Sequence, residues 1–225
     1  MTNMIDEIAL AKRSTKQIYE RQARHWNRIR STSLSRYEKP WLDRFLSTLP
    51  SPADLVDLGC GSGVPVAGYF LGQKCSLVGV DYSPTMISLA RKRYPEADWI
   101  VQDIRQLALN GQYDGIYSWD GFFHLSIEEQ RQIIPMLSML IRPGGSIMLT
   151  VGTGEGEVTG TVGGETVYHA SLAPEEYQRL FDACGFGQVT YAAAEPDSLD
   201  RSIILASNRA QSGSLLRLLF WTFGP

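Results

Sequence analysis

Leu55 to Gly63 reads Leu-Val-Asp-Leu-Gly-Cys-Gly-Ser-Gly, an apolar run closed by the acid Asp57 and then three glycines set one residue apart. Gly59, Gly61 and Gly63 lack a Cβ, so they can take φ values closed to other residues and let a ligand touch the backbone directly. A turn of this kind receives a nucleotide-like ligand. Two further acids close later apolar runs. Leu77-Val-Gly-Val-Asp81 puts Asp81 where a ribose diol needs a carboxylate acceptor. Asp98-Trp-Ile-Val-Gln-Asp103 puts Asp103, followed by Ile104, where an adenine amino group can donate a hydrogen bond. Ser83 and Pro84 read as an N-cap and first helical residue, so Met86 falls in the first turn and can lie against a flat base. The ligand these spacings suit is an adenosine.

These residues need strands that end together and helices that follow them. Each acid stands at the end of an apolar run short enough for a buried parallel strand, and Gly63-Val-Pro-Val-Ala-Gly-Tyr-Phe-Leu continues with helix-compatible spacing behind Pro65. The pattern predicts an α/β chain. A nicotinamide- or flavin-binding turn is the competing reading, but that fingerprint sets two residues between its second and third glycines, the third over a pyrophosphate, and position 64 here is Val.

With Tyr113-Asp-Gly-Ile-Tyr-Ser-Trp-Asp120 and Ile141-Arg-Pro-Gly-Gly-Ser-Ile-Met-Leu-Thr150 added in order, the chain resembles the class I S-adenosylmethionine-dependent methyltransferases, of a bacterial small-molecule type. The resemblance implies a Rossmann-like, doubly wound sheet of seven strands in the order 3-2-1-4-5-7-6 with strand 7 antiparallel. It also implies S-adenosylmethionine as cofactor and S-adenosylhomocysteine as product. Asp57 would help to place the cofactor ammonium. Residues 1–49 read as an N-terminal helical cap, and in similar enzymes a Tyr-x-x-x-Ala-x-x-Trp-like helix lies across the cofactor. That nominates Tyr19 and Trp26 as contacts and lets Arg30 meet the methionine carboxylate; packing of Trp26 on the sheet edge is the alternative. Trp41, Leu42, Phe45 and Leu46 repeat at helical spacing and read as core.

In this family the end of the fourth strand opens beside the transferred methyl, and here that end is Trp119-Asp120-Gly121-Phe122-Phe123-His124. Trp119 and Asp120 are taken as cofactor contacts and Phe123 as a substrate contact. His124 is the candidate general base, since a reference pKa of about 6.5 leaves much of it neutral near pH 7. A histidine that only orders the loop by bonding backbone is the other reading. Ser126-x-x-Glu129 forms a capping box that starts a helix directly after it. The insertion 152–172 reads as a hairpin around Gly163-Gly164 and a lid, closed by Tyr168 and His169, which could bind or deprotonate a hydroxyl. The expected chemistry is in-line displacement by an oxygen or nitrogen of a small molecule. A binding protein without turnover and a dinucleotide oxidoreductase remain as alternatives.

The chain of 225 residues is 44% hydrophobic and 20% charged, which predicts one folded domain with its core over 50–210. A net charge of −3 without basic clusters points away from nucleic acid. Cys60, Cys75 and Cys184 show no paired spacing, which suits a reducing cytoplasm, and no convergent ligand set predicts a metal. The segment 211–225 is strongly apolar yet too short to span a bilayer, so packing on its own domain, a homodimer contact or an interfacial membrane contact would cover it.

Overall fold

The glycine motif follows the central strand of a seven-stranded sheet in a computed structural model that describes residues 4–194 and 201–208. The apolar tail, and the dimer contact inferred from it, lie outside the described residues. That central strand, β1 (Asp54–Leu58), is flanked on both sides by parallel partners, β2 (Ser76–Asp81) and β4 (Tyr113–Ser118). Burial from both faces is why it reads as a continuous apolar run. Outside them lie β3 (Asp98–Val101) and β5 (Ile141–Val151). Then comes β9 (Ser202–Ser207), antiparallel to β5 in the register Thr150↔Ile203, with β8 (Gln188–Ala192) at the edge. The order is β3-β2-β1-β4-β5-β9-β8, which is the expected 3-2-1-4-5-7-6 once a two-stranded insertion is set aside.

Helices cover both faces. Leu42 and Phe45 of α2 (Glu38–Ser47), Val66 and Phe70 of α3 (Val66–Gly72) and Ile87 of α4 (Pro84–Arg93) pack with Leu55 and Tyr117 on one side. Ile133, Ile134 and Leu137 of α5 (Ile127–Met139) and Tyr177 and Phe181 of α6 (Pro174–Ala183) pack with Val56 and Ile147 on the other. From β1 the chain winds outward through β2 and β3, then returns to add β4 on the opposite side. The crevice at this reversal lies beyond the carboxyl ends of β1 and β4, where open α/β sheets bind ligands.

Helix α1 (Met4–Ile29) carries Asp6 and Glu7 in its first turn and Arg28 in its last, charges that suit the helix dipole. It rests on the insertion, a hairpin of β6 (Gly156–Val162) and β7 (Glu165–Ser171). The turn residues Gly163 and Gly164 take φ 58° and 81°, the double positive φ that a two-residue hairpin turn requires. Ile18 packs on Val162 and Val167, Ala11 on Tyr168 and Ala170, and the Tyr168 N–H donates to Thr15 Oγ1 at 2.8 Å. The insertion packs its apolar side on α1. Among the described residues no helix is long and apolar enough to cross a membrane.

The capping box forms as expected: Ser126 N–H donates to Glu129 Oε2 at 2.7 Å, and Glu129 N–H donates to Ser126 Oγ at 3.4 Å. It sets the helix start directly after His124. Ser126→Ala is expected to cost about 1 kcal/mol, a fall of roughly 2–4 °C in melting temperature, measured by calorimetry. An unchanged melt would show that the box does not hold the His124 turn.

Candidate cofactor and methyl-acceptor site

One cavity at the strand ends gathers most of the residues singled out in the sequence. Tyr19, Trp26, Asp57, Gly59, Gly61, Gly63, Asp81, Ser83, Met86, Asp103, Ile104, Trp119, Asp120 and His124 all line it. Phe123, Tyr168 and His169 do not. The Phe123 and His169 rings pack on each other, centroids 4.8 Å apart, and the Tyr168 hydroxyl is spent on Glu157. Alternation along β7 turns Tyr168 beneath α1, where it is fully buried.

The floor is held by backbone donors. Gly59 N–H and Cys60 N–H both donate to Val80 O, at 2.8 and 3.1 Å. Asp81 accepts from Gly61 N–H at 2.9 Å on one oxygen and from Ser83 N–H at 2.8 Å on the other, so the acid ties the glycine turn to the start of α4. Ser83 Oγ in turn caps that helix by accepting from Met86 N–H at 3.0 Å. Gly59 has φ 74°, and a Cβ there would stand 3.1 Å from Gly121 Cα. Only glycine allows the first and fourth strand ends to close so tightly. Asp103 accepts from Arg105 N–H and Nε, at 3.0 and 2.9 Å, and pairs with Lys16 of α1.

The roof is one face of α1. Lys12, Thr15, Lys16, Tyr19 and Trp26, with Arg30 just past the helix end, recur at intervals of three, four and seven. Helical spacing from Tyr19, at three, four and seven residues, is the sequence signal that reaches Lys16, Thr15 and Lys12. Glu20 reaches across to Ser83 and to Thr85 Oγ1, 2.5 Å in the second case. Tyr19 Oη lies 2.9 Å from His124 Nε2, and His124 Nδ1 lies 2.8 Å from the Tyr168 carbonyl. A carbonyl only accepts, so Nδ1 carries the proton and Nε2 accepts from Tyr19. Burial foremost, with His169 adding to it, pushes His124 down to about 4, and burial with nearby Asp120 and Asp81 holds the Tyr19 phenol far above its usual value. The imidazole is therefore neutral at physiological pH.

Asp120 is an unusual residue at the end of β4. Its φ is 63°, a left-handed conformation that aspartate tolerates better than most side chains, and its N–H donates to Thr150 Oγ1 at 2.8 Å. Arg201 takes both carboxylate oxygens, Nη2 to Oδ2 at 2.7 Å, and Arg30 approaches to 3.5 Å while also binding Glu38 at 3.0 Å. Arg201 gave no motif signal, since it enters from the far end of the chain.

Two observations test the fit of an adenosyl cofactor. Among the described residues the indole Nε1 of Trp119, which is 5% exposed and borders the cavity, is the buried side-chain polar atom lacking a partner. A buried donor of this kind calls for an acceptor from a ligand. Asp57 is fully enclosed with a 2.9 Å bond from the Tyr117 hydroxyl, and burial drives its pKa up to about 8. A cationic ligand would offset that desolvation. Among the described residues no group of three or more His, Cys, Asp and Glu could hold a metal.

Comparison with known proteins agrees with this geometry. Residues 55–145 match the family described as "Methyltransferase domain". A tRNA (carboxymethyluridine(34)-5-O)-methyltransferase of Arabidopsis thaliana is 29% identical over 67% of this chain and 35% of its own length. A trans-aconitate 2-methyltransferase of Variovorax paradoxus is 33% identical over 45% of this chain and 39% of its own. The chain thus spans about a third of the length of these curated relatives. Among solved structures, S-adenosylmethionine-bound CalS10, an amino pentose methyltransferase of Micromonospora echinaspora, superposes with a TM-score of 0.62 at 19% identity, over 84% of this chain and 96% of that one. Residues 55–145 thus resemble a methyltransferase domain, and the sheet that carries them has the fold of the class I S-adenosylmethionine-dependent methyltransferases. S-adenosylmethionine is the cofactor of that class.

The raised acids make a test without ligand. Burial, opposed by its two backbone bonds, leaves Asp81 at about 6, below Asp57 at about 8. Both exceed the unfolded value of about 3.9, so the native chain keeps protons that the unfolded chain has released, and stability falls as pH rises through these values. Between pH 7 and 8 the titration belongs to Asp57, since histidines with lowered pKa act below that window. The cofactor-free protein should lose about 1 kcal/mol from pH 7 to 8, seen as a fall of roughly 2–4 °C, and Asp57→Asn should remove it. Equal slopes in both proteins would refute the assignment.

Proposed function

We propose that this chain transfers a methyl group from S-adenosylmethionine to an oxygen or nitrogen of a small molecule. The carrying observation is the Tyr19–His124 contact, which joins the cap to the end of β4 and closes α1 over the acid-and-glycine floor. On this reading Asp81 takes the ribose, Asp103 and Ile104 the adenine edge, Met86 the base face, and Asp57 the ammonium. Trp119 Nε1 and the backbone of Gly59, Gly61 and Gly63 complete the cradle, with Tyr19 and Trp26 above. When bound, the cofactor supplies a methyl carbon activated by a sulfonium, which an acceptor lone pair displaces in line.

The protein's part is to align, to exclude water and to hold charges. Alignment of two reactants can contribute about 7–11 kcal/mol, whereas a general base adds roughly 10²–10⁴-fold. His124 is held by Tyr168 O on Nδ1 and accepts the Tyr19 hydroxyl on Nε2, and its low pKa makes it a weak base that stays neutral over the working range. A tRNA acceptor, raised by the name of the plant relative, is disfavoured by a net charge of −3 and by the cap across the cavity.

S-adenosylhomocysteine at about 100 times its dissociation constant should raise the melting temperature by roughly 5–11 °C, while NAD should not. A shift with NAD alone would overturn the proposal. Gly59→Val should abolish the shift by closing the floor against Gly121. His124→Ala should keep the shift and lower kcat by at most about 10²-fold, with kcat of the parent flat from pH 6 to 9. If His124→Ala turns over at the parent rate across that range, His124 has no role as base.

A further inference from the structure

The charged groups of the cavity are sorted by layer. Its carboxylates, Asp57, Asp81, Asp103 and Asp120, all stand at strand ends on the floor, whereas the charged residues lining the roof, Lys12 and Lys16 of α1 and Arg30 just past it, are cations; the α1 acid Glu20 turns away to Ser83 and Thr85. Arg105, the remaining cation of the lining, is bound to Asp103 on the floor. A positively charged cofactor suits the floor and leaves the roof facing the acceptor. Lys16 and Arg30 are engaged with Asp103, Glu38 and Asp120. Lys12 has the looser partner, Glu157 at 3.8 Å, with its side chain 45% exposed at the rim.

Proton acceptors of the cavity are engaged too, with Asp57 holding the Tyr117 hydroxyl on one oxygen and Asp103 holding Arg105 and Lys16. His124 Nε2 receives the Tyr19 hydroxyl, both oxygens of Asp81 receive backbone N–H groups, and both of Asp120 receive Arg201. The depressed basicity of His124 agrees with this. A phenol, alcohol or ammonium must lose a proton, to one of these groups or to solvent. A carboxylate has none to leave.

We infer that the acceptor is a carboxylate, drawn under the roof by Lys12 and methylated on oxygen to a methyl ester; this rests on the methyltransferase reading above. The balance is simple. A carboxylate oxygen forms the new O–CH₃ bond as the S–CH₃ bond breaks, the bonding pair stays on sulfur, and no proton moves. Anion and cation become neutral ester and neutral thioether.

The full chain, S-adenosylmethionine with a tritium-labelled methyl, and separate arms of mono- to tricarboxylic acids, phenols, primary amines and bulk tRNA would test it. Esters release their label as volatile methanol in mild alkali; phenyl ethers and methylamines keep it. Alkali-labile label in the small-acid arm is expected. Alkali-labile label in the tRNA arm alone would support the carboxylate and place it on RNA. Lys12→Gln should raise KM for the acid about tenfold, leave S-adenosylhomocysteine affinity by calorimetry unchanged, and be rescued by Lys12→Arg. Alkali-stable label on a phenol or amine overturns the carboxylate, as does the absence of label from every acid and from tRNA in a protein that binds S-adenosylhomocysteine. Failure to bind S-adenosylhomocysteine would instead remove the methyltransferase reading itself.

Discussion

The site depends on the Asp81 carboxylate, whose two oxygens accept from Gly61 and Ser83. One bond fixes the turn after β1 and the other fixes the start of α4, so the two strand ends that would share a ribose are held in register by the acid itself. Both bonds run to the charged form, and they offset part of what burial costs. Around this knot the backbone N–H groups of Gly59 and Cys60 close on Val80 O, and the first and fourth strand ends meet at Gly59 and Gly121. The crevice is a consequence of sheet topology, but its depth is set by these contacts.

The cap has a different physics. Helix α1 gains its apolar burial from Ile18 and Ala11 against the β6–β7 hairpin. Its approach to the core is polar: Lys16 on Asp103, Glu20 on Ser83 and Thr85, Tyr19 on His124. Polar bonds of this kind, part exposed and each worth little net, can be exchanged for ligand contacts at small cost. The hairpin therefore anchors the cap while the polar seam shapes the cavity beneath it.

Charge is distributed so that no single group is asked to do everything. Among the described residues, buried Asp57 has the Tyr117 hydroxyl as its one side-chain partner, while Asp120, in a left-handed conformation, is held by Arg201 and Arg30 from opposite ends of the chain. Among the described residues the first acid has no cation paired with it and suits a cationic ligand; the second is already paired with two arginines. His124 stays neutral because burial foremost, with His169 adding to it, disfavours the charged ring, while the carbonyl behind it and the phenol before it satisfy both ring nitrogens.

Local sequence determined the elements. The apolar run to Asp57, the Ser83-Pro84 start and the Ser126/Glu129 box each carry their structure in a few adjacent residues, because glycine φ, proline φ and capping bonds are short-range effects. The sheet order came from family resemblance, since pairing between distant strands leaves no local trace. What tertiary structure alone decided was orientation and partnership. Periodicity could put Tyr168 on β7 but not say that its face would turn under α1, and no spacing could join Arg201 to Asp120 or show the Trp119 indole without a partner. These follow from how elements far apart in the chain are packed, and packing is a property of the whole fold.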